Sequence, residues 1–341
     1  MLIAGLIGPV ILHSTSEEGM VTVASVKIWL ECAAGDPGKC TLPKRLMRNL
    51  QGLLTLTACT VNTVIWATPL FLLALVKLVL PLKSGRTAIT RWLMVLGEAW
   101  VGTNSRIFSL GNSTTWDVRG FAGLSRDKWY LLMANHQTWV DIVALQTIFN
   151  RRIPFLKFFI KQELVWFPFL GAAWWAMDMP FMTRYTKSYL EAHPEKKGKD
   201  LEATRRACRK FRDTPTTVIN FVEGTRFTEE KRVSRGSPYS HLLKPRAGGV
   251  ALAISSLGDR FDTVLDVTVA YPGGPISFWD LMCGDFSHIV IDIRKRPVDA
   301  WLRDGDYENE RVYRAAFHRW LSEIWRDKDD RIARILSGTE A

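Results

Sequence analysis

An uncharged run from Leu53 to Val76 constrains the fold of this chain more than any other feature of its sequence. The run holds 24 positions without an acidic or basic residue, enough for an α-helix to cross a hydrocarbon core of about 30 Å. Basic residues flank both ends, so their distribution indicates no orientation. Asn62 and Pro69 also permit a re-entrant hairpin with both flanks on one side. In either case the sequence predicts a membrane anchor rather than a buried core helix.

The anchor and a connecting helix predicted over Arg91–Ile107 define a segment from residue 47 to residue 112. Ahead of it, residues 1–46 are predicted as a dispensable extension with no assigned structure. This extension begins with an apolar stretch, but no basic residue precedes that stretch as in a secretory signal peptide. Met47 is an alternative start, because a basic residue and the apolar run follow it directly.

From residue 113 onward, short apolar segments alternate with segments of helical periodicity, which is typical of an α/β domain. We therefore predict one α/β domain over residues 113–341. The predicted strands are Trp116–Arg119, Trp129–Ala134, Phe155–Ile160, Thr217–Val222, Val264–Ala270 and Ile289–Arg294. The predicted helices are Thr138–Phe149, Gln162–Ala176, Lys199–Arg212, Ala247–Leu257 and a last helix from about Glu310 to Leu336. The last helix carries a broad apolar stripe that includes Val312, and we expect it to cover the sheet.

The composition favours an anionic or lipid partner. A formal net charge of +11 at pH 7 is typical of proteins that meet membrane surfaces, phosphorylated ligands or nucleic acids. The 14 Trp and 17 Phe residues suit contact with lipid. The five cysteines form no C-x-x-C pair and no spacing typical of a metal site, so we expect neither a metal ion nor a disulfide framework.

The stretch Asn135–Asp141 carries the candidate catalytic residues. An apolar strand precedes it and a helix follows it, so His136 is predicted to lie in the turn between them. Residues five apart in one helix point about 140° away from each other, so His136 and Asp141 meet only if His136 precedes the helix. A histidine oriented by a carboxylate is suited to act as a general base. Thr138 and Asp141 also fit a capping box, which leaves a purely structural role as the alternative.

The segment Glu223–Arg226 is the candidate ligand-binding turn. It follows a predicted strand, and Gly224 permits both a tight turn and a close approach of a ligand to the backbone. The Thr225 hydroxyl and the Arg226 guanidinium are suited to bind phosphate. A further stretch, Leu164–Met177, is uncharged and aromatic but too short to span a bilayer. It is interpreted equally well as a core helix or as an apolar channel for a fatty chain.

Three blocks of this sequence resemble the motifs of the 1-acylglycerol-3-phosphate acyltransferase (PlsC-like) family. The first block is Asn135-His136-x-Thr138-x-x-Asp141, the second is Lys161–Leu164 followed by Phe167–Gly171, and the third is Phe221–Arg226. The resemblance runs from about Trp116 to Tyr271, and its spacing is especially similar to the bacterial YihG branch of inner-membrane acyltransferases. The strand Val264–Val269 departs from the family because it lacks the proline of the fourth motif, a block that bears on the acyl acceptor.

The resemblance implies a glycerolipid-acyltransferase-like α/β domain with a mixed, mainly parallel sheet flanked by helices. It implies transfer of an acyl group from acyl-CoA or acyl-carrier protein to the sn-2 hydroxyl of 1-acylglycerol 3-phosphate (lysophosphatidic acid), giving phosphatidic acid. His136 would act as the general base and Asp141 would orient it. The acceptor phosphate would bind Arg226, Thr225 and the Gly224 backbone. Glu223 would orient Arg226, and Lys161 would meet phosphate or the anionic arm of the donor.

The resemblance implies a reaction that needs no cofactor and no metal, with the thioester donor as a substrate. The expected partners are the lysophospholipid, the acyl-CoA or acyl-carrier protein and a phospholipid membrane, and no nucleic acid. The expected location is the bacterial inner membrane, with the active site at its cytoplasmic face. Two alternatives stay open: another lysophospholipid acceptor such as lysophosphatidylglycerol, and a membrane-tethered basic binding protein.

Overall fold

The computed structural model describes residues 44–110, 115–166, 170–182, 211–212, 214–285 and 288–339. The chain divides into two compact units, Met1–Leu50 and Gln51–Ala341. Almost all of the predicted helix Lys199–Arg212 and most of the extension 1–46 lie outside the described residues, as does the aromatic turn 167–169. The division of the chain at residues 47 and 113 stays a prediction.

The described residues form eight strands and nine α-helices, which we number in chain order. The strands are β1 (Thr115–Arg119), β2 (Tyr130–Ala134), β3 (Leu156–Phe158), β4 (Ile160–Lys161), β5 (Phe181–Met182), β6 (Thr217–Phe221), β7 (Thr263–Ala270) and β8 (His288–Arg296). The helices are α1 (Lys44–Val79), α2 (Lys83–Leu110), α3 (Val140–Phe149), α4 (Leu170–Ala176), α5 (Glu229–Ser234), α6 (Ala247–Leu257), α7 (Phe278–Cys283), α8 (Ala300–Asp304) and α9 (Arg311–Ser337), with a 3-10 helix over Gln162–Trp166.

Six strands form one sheet in the order β1-β8-β7-β2-β6-β3, and β4 pairs with β5 in a separate two-stranded sheet. All neighbours in the large sheet are parallel except β7 and β8, which are antiparallel. This confirms the expected mixed, mainly parallel α/β fold. Every residue of β2 is buried, as expected for an apolar strand between two parallel neighbours. The carboxyl ends of β2, β6 and β7 therefore meet at one edge of the sheet.

Helices cover both faces of the sheet. On one face, side chains of β2 and β6 pack with α6 and α9 through Val250, Leu321 and Trp325. On the other face, they pack with α3 and α7 through Leu145 and Leu281. The expectation that the last helix covers the sheet is confirmed, but its stripe does not include Val312, which is 84% exposed in the first turn of α9.

Helix α1 is the one helix in the described part of the chain that is long and apolar enough to cross a membrane. It runs without a break through Asn62 and Pro69, so the alternative of a hairpin inside this run is wrong. The Asn62 amide donates to Asn104 of α2 at 2.8 Å, and the Lys77 ammonium lies 2.8 Å from the Asp178 carboxylate. The buried amide of Asn62 and the buried ammonium of Lys77, which directly follows the uncharged run, are thus both paired within the chain.

Candidate active site

The turn between β2 and α3 is fixed to β7 by the side chain of Asn135. Its amide nitrogen donates to the Val269 carbonyl at 2.8 Å, and its amide oxygen accepts from the Val269 N–H at 2.8 Å. Asn135 is fully buried, where each unpaired polar atom would cost free energy. This pair of bonds sets the end of β7 against the start of the turn that carries His136.

The histidine of this turn is oriented by a carboxylate. His136 Nδ1 lies 2.8 Å from Asp141 Oδ2. The imidazole also stacks on the Phe221 ring, with 4.1 Å between the ring centroids and 19° between the planes. The His136 side chain is 12% exposed, and no described residue donates to or accepts from its Nε2. The two residues meet as their spacing predicts, with His136 ahead of the helix and Asp141 in its first turn.

Asp141 is fully buried, and both of its oxygens accept hydrogen bonds. Besides His136, Oδ2 accepts from the Gln137 N–H at 2.6 Å and the Thr138 N–H at 3.0 Å. The other oxygen, Oδ1, accepts from the Tyr271 hydroxyl at 2.6 Å. Every described contact of the carboxylate besides His136 is a hydrogen-bond donor, so Oδ2 is placed to accept from His136 as well. This geometry assigns the Nδ1 proton to the bond with Asp141 and leaves the Nε2 lone pair facing outward.

The capping box expected of Thr138 and Asp141 is only partly formed, because the Thr138 hydroxyl accepts from the Val140 N–H only at 3.4 Å. The residue before α3 is Trp139, and it makes no capping hydrogen bond through its side chain. The Thr138 hydroxyl instead donates to the Ile276 carbonyl at 2.6 Å, which ties the turn to the loop after β7. The carboxylate half of the capping box is present, because Asp141 accepts from the Thr138 N–H. Asp141 thus closes the turn and orients His136 at the same time.

Glu223 holds the backbone of the turn that carries His136 and does not orient Arg226 as the sequence suggested. It is fully buried, and its carboxylate accepts from the His136 N–H at 3.0 Å and from the Leu243 N–H at 2.8 Å. Burial raises the pKa of this carboxyl to about 7, although the two N–H donors act in the opposite direction. Both oxygens point to backbone, which removes Glu223 from the surface that a substrate could reach.

The Gly224-Thr225-Arg226 turn lies next to the histidine. Gly224 has a φ of +68°, which a side chain rarely adopts. Beyond the turn, the Phe227 N–H donates to the His136 carbonyl at 2.7 Å, so the two turns are joined directly. The Arg226 guanidinium is exposed and lies 5.1 Å above the Trp139 ring in a cation–π contact.

Lys231 of α5 supports this turn from the other side. Its ammonium donates to the Thr225 hydroxyl at 3.2 Å and to the Arg226 carbonyl at 3.0 Å. An ammonium has three donors and the guanidinium presents a fork of five. Lys231 and Arg226 therefore create a positively charged surface beside His136, and the sequence alone did not single out Lys231 for this role.

Two other predicted features lie elsewhere. Lys161 is exposed on β4, in the small sheet, and its contact with a substrate stays a prediction. The described part of Leu164–Met177 packs with Leu70 of α1 and Leu93 of α2, which favours the interpretation as a core element. Phe158 packs on that same cluster, and its ring centroid lies 6.5 Å from the Phe221 ring on which His136 stacks.

The structure adds Tyr271, which the sequence analysis did not identify as a site residue. It follows β7 directly, at the sheet edge where β2 and β6 deliver His136 and Gly224. A tyrosine at a strand end before Pro272-Gly273-Gly274 was a signal in the sequence. This signal points to the site only together with the strand order, which places β7 next to β2.

His136, the Asp141 carboxylate and the cations Arg226 and Lys231 lie in or next to two adjoining turns at one edge of the sheet. Such a set can take a proton from a hydroxyl and hold a phosphate close to it. It carries no side-chain nucleophile next to His136 among the described contacts, so the nucleophile it suits is a hydroxyl of the substrate.

Comparison with known proteins agrees with this chemistry. Residues 116–272 match the family model described as acyltransferase. The chain is 24% identical to human 1-acyl-sn-glycerol-3-phosphate acyltransferase delta over 255 residues, which cover 71% of this chain and 60% of that protein. It is 24% identical to the gamma form of Mus musculus over 259 residues, 72% of this chain and 61% of that protein.

The chain therefore spans about three fifths of the length of these relatives. Among solved structures, the 1-acyl-sn-glycerophosphate acyltransferase PlsC from Thermotoga maritima matches with a TM-score of 0.44 and 16% identity, over 81% of this chain and 97% of that one. The predicted closeness to the YihG branch stays a prediction. The stretch that matches the acyltransferase family model, residues 116–272, carries His136, Asp141 and Arg226.

Proposed function

We propose that this protein transfers an acyl group from a thioester to the sn-2 hydroxyl of 1-acylglycerol 3-phosphate. The observation that carries the proposal is the outward-facing Nε2 of His136 in a turn bonded directly to the Gly224–Phe227 turn. The curated relatives named above are enzymes of that title. The donor is acyl-CoA or acyl-carrier protein, and the reaction needs no further cofactor.

The proposed reaction is a direct transfer. His136 Nε2 takes the proton of the acceptor hydroxyl while its oxygen bonds to the thioester carbonyl carbon. The electron pair of the carbonyl moves to its oxygen, and its return breaks the carbon–sulfur bond. The departing thiolate then takes the proton from the imidazolium. Asp141 stabilises that imidazolium, and general base action of this kind contributes about 10²–10⁴ to the rate.

The acceptor phosphate is proposed to bind the cationic surface made by Arg226, Lys231 and the Thr225 hydroxyl. The Arg226 guanidinium offers two parallel N–H donors to phosphate oxygens. Its stacking on Trp139 holds the fork beside His136 before substrate arrives. The phosphate contact would thereby set the distance between the acceptor hydroxyl and Nε2.

Helix α1 supports a location at a membrane. Its apolar side chains away from the domain are largely exposed, among them Val64 (61%), Ile65 (59%) and Leu72 (58%). Yet Gly52 packs on Trp279 near its start and Lys77 pairs with Asp178 near its end. These positions lie about 37 Å apart along a helix, and both contact one folded domain. We therefore propose that α1 lies along one face of the bilayer. The cytoplasmic face of a bacterial inner membrane stays the predicted location.

The decisive experiment is a thiol-release assay on the purified membrane protein with acyl-CoA, acyl-carrier protein and a panel of lysophospholipids. We expect turnover with lysophosphatidic acid and a loss of at least about a hundredfold in His136→Ala. His318→Ala is the matched control. His318 lies on α9, and its Nε2 is hydrogen-bonded to the Tyr307 hydroxyl. Retention of more than a few percent of activity in His136→Ala would refute the general base. If only lysophosphatidylglycerol were acylated, it would replace lysophosphatidic acid as the proposed acceptor.

The phosphate site is tested by the acceptor KM. Arg226→Ala should raise the KM for lysophosphatidic acid about 10- to 100-fold, as expected for loss of hydrogen bonds to a charged group. The control is Arg232→Ala, because the Arg232 guanidinium is already engaged by Glu229. An unchanged KM in Arg226→Ala would move the phosphate site elsewhere.

A further inference from the structure

Tyr271 reaches the catalytic pair from a strand that no motif of the sequence connects with it. Its hydroxyl donates to Asp141 Oδ1 at 2.6 Å, and the residue is 2% exposed. Asp141 is the only acceptor that the described contacts give this hydroxyl. This distance lies within the range of about 2.5–2.7 Å that is usual for a charge-assisted hydrogen bond from a hydroxyl to a carboxylate.

The placement of Tyr271 is determined by bonds on either side of it. Asn135 fixes Val269 of β7 two residues earlier. After it, the Gly274 N–H donates to the Tyr271 carbonyl at 2.9 Å and closes a turn. Ile276 then accepts from the Thr138 hydroxyl. The end of β7 and the loop after it are therefore bonded to the stretch Asn135–Asp141 at three points, and Tyr271 is the middle one.

The hydroxyl of Tyr271 is suited to donate and not to lose its proton. Burial and the neighbouring Asp141 carboxylate raise the pKa of Tyr271 well above its ordinary value. It therefore keeps its proton at neutral pH. Asp141 Oδ2 already serves His136 and two backbone N–H groups, so Tyr271 supplies the remaining oxygen. Without it, Oδ1 would be a buried charged atom with no donor.

We propose that Tyr271 is a positioning residue for the acyl transfer, which it serves by fixing the rotation of the Asp141 carboxylate and dispersing its charge. This inference rests on the proposed function for its kinetic consequence. A carboxylate held at both oxygens keeps Oδ2 on His136 Nδ1 and leaves Nε2 as the base. By dispersing the charge of Asp141, the hydrogen bond from Tyr271 also limits how strongly the carboxylate stabilises the imidazolium in the resting enzyme. Among the described contacts, the other ionisable groups next to this turn are Glu223, through the His136 N–H, and Arg226, through the Trp139 ring.

The test compares Tyr271→Phe with Tyr130→Phe. Tyr130 is 1% exposed in the same core cluster, and its hydroxyl also makes one bond, from the Ser125 N–H at 2.9 Å. Tyr271→Phe should lower kcat about tenfold and leave KM within about twofold. The acid limb of its kcat profile should move to higher pH, because a carboxylate with more localised charge binds the imidazolium more tightly. Tyr130→Phe should change neither quantity.

A second readout needs no turnover. The imidazole carbon resonances of His136, followed by NMR against pH without substrate, should titrate at higher pH in Tyr271→Phe than in the wild type. In an Asp141→Asn background, Tyr271→Phe should have no further effect on kcat, since it acts through that carboxylate. Equal behaviour of the two Tyr→Phe variants in kcat and in the His136 titration would overturn the proposal. Absence of turnover in the wild type would refute the function alone, because the NMR titration would still decide the role of Tyr271.

Discussion

Two fully buried aspartates of this protein are held in opposite ways. Asp141 in the catalytic turn accepts from an imidazole, two backbone N–H groups and a tyrosine hydroxyl. Asp266 on β7 instead faces fixed cations from α9: Lys328 Nζ lies 2.7 Å and an Arg331 nitrogen 2.6 Å from its oxygens. A third cation, Arg296 of β8, lies 3.0 Å away.

The difference shows what each carboxylate is for. Burial alone would raise the pKa of Asp266, but Lys328 and Arg331 outweigh it and bring the value to about 2. The charge of Asp266 is thus neutralised inside the fold, where it joins α9 to the sheet. Asp141 has no Lys or Arg among its described hydrogen-bond partners. In the proposed reaction it is therefore free to stabilise the imidazolium that forms on His136.

The largest expected effect is that of Asp141→Asn. The amide would present a donor where the carboxylate accepts, and the imidazole would be held in the wrong tautomer. In a serine protease triad such a change costs about 10⁴ in kcat, and we expect a loss of about 10³–10⁴ here. Steady-state acyl transfer of the purified variant, with circular dichroism to verify folding, measures it. A loss below about tenfold would mean that Asp141 serves only the helix start.

Asp266→Asn should show the reverse pattern. It removes the carboxylate that pairs with the buried Lys328, and it leaves Arg331 with Asp292 and Asp327 as its remaining acidic partners. We expect this to cost about 3–5 kcal/mol of unfolding free energy, whereas kcat per folded molecule should stay the same. Because the pKa of Asp266 is lowered, its contribution is present above the unfolded pKa and is lost as the pH falls towards 2. Urea unfolding at pH 7 and at pH 3 measures this. Loss of kcat without loss of stability would contradict the comparison.

Glu223 is the intermediate case and the smallest expected effect. It has two neutral N–H donors and a pKa raised to about 7. Its folded form holds the proton more tightly than the unfolded chain, so its contribution to stability is lost as the pH rises from about 4.5 to 7. The difference in unfolding free energy between wild type and Glu223→Gln should therefore shrink over this range. A difference independent of pH would show that Glu223 is ionised throughout.

The local part of the site could be predicted from the sequence. The spacing of His136 and Asp141, with a strand before and a helix after, fixes their meeting through helix geometry alone. The alternation of apolar segments likewise gave the α/β class, and Ala247–Leu257 was predicted with its observed ends. These inferences depend on residues within one or two turns of each other.

The remaining part depends on strand order, which periodicity does not contain. Tyr271 and Glu223 meet the catalytic turn because β7 and β6 flank β2. Lys328 and Arg331 of α9 are buried because they pair with Asp266 of β7, a contact that depends on the packing of α9 against that strand. Asn62 and Pro69 suggested a break in α1, yet a partner on α2 satisfies the first and the helix accommodates the second.

The pair of hydrogen bonds between the Asn135 amide and the Val269 backbone affects when the proposed active site can form during folding. The two residues are 134 positions apart, and Tyr271 is 130 positions from Asp141. Contacts of such separation close long loops, and they form late in folding because chain entropy opposes them. The turn that carries His136 is therefore synthesised long before the strand that fixes it has left the ribosome. Onset of thioester cleavage would mark the moment at which the central sheet is complete.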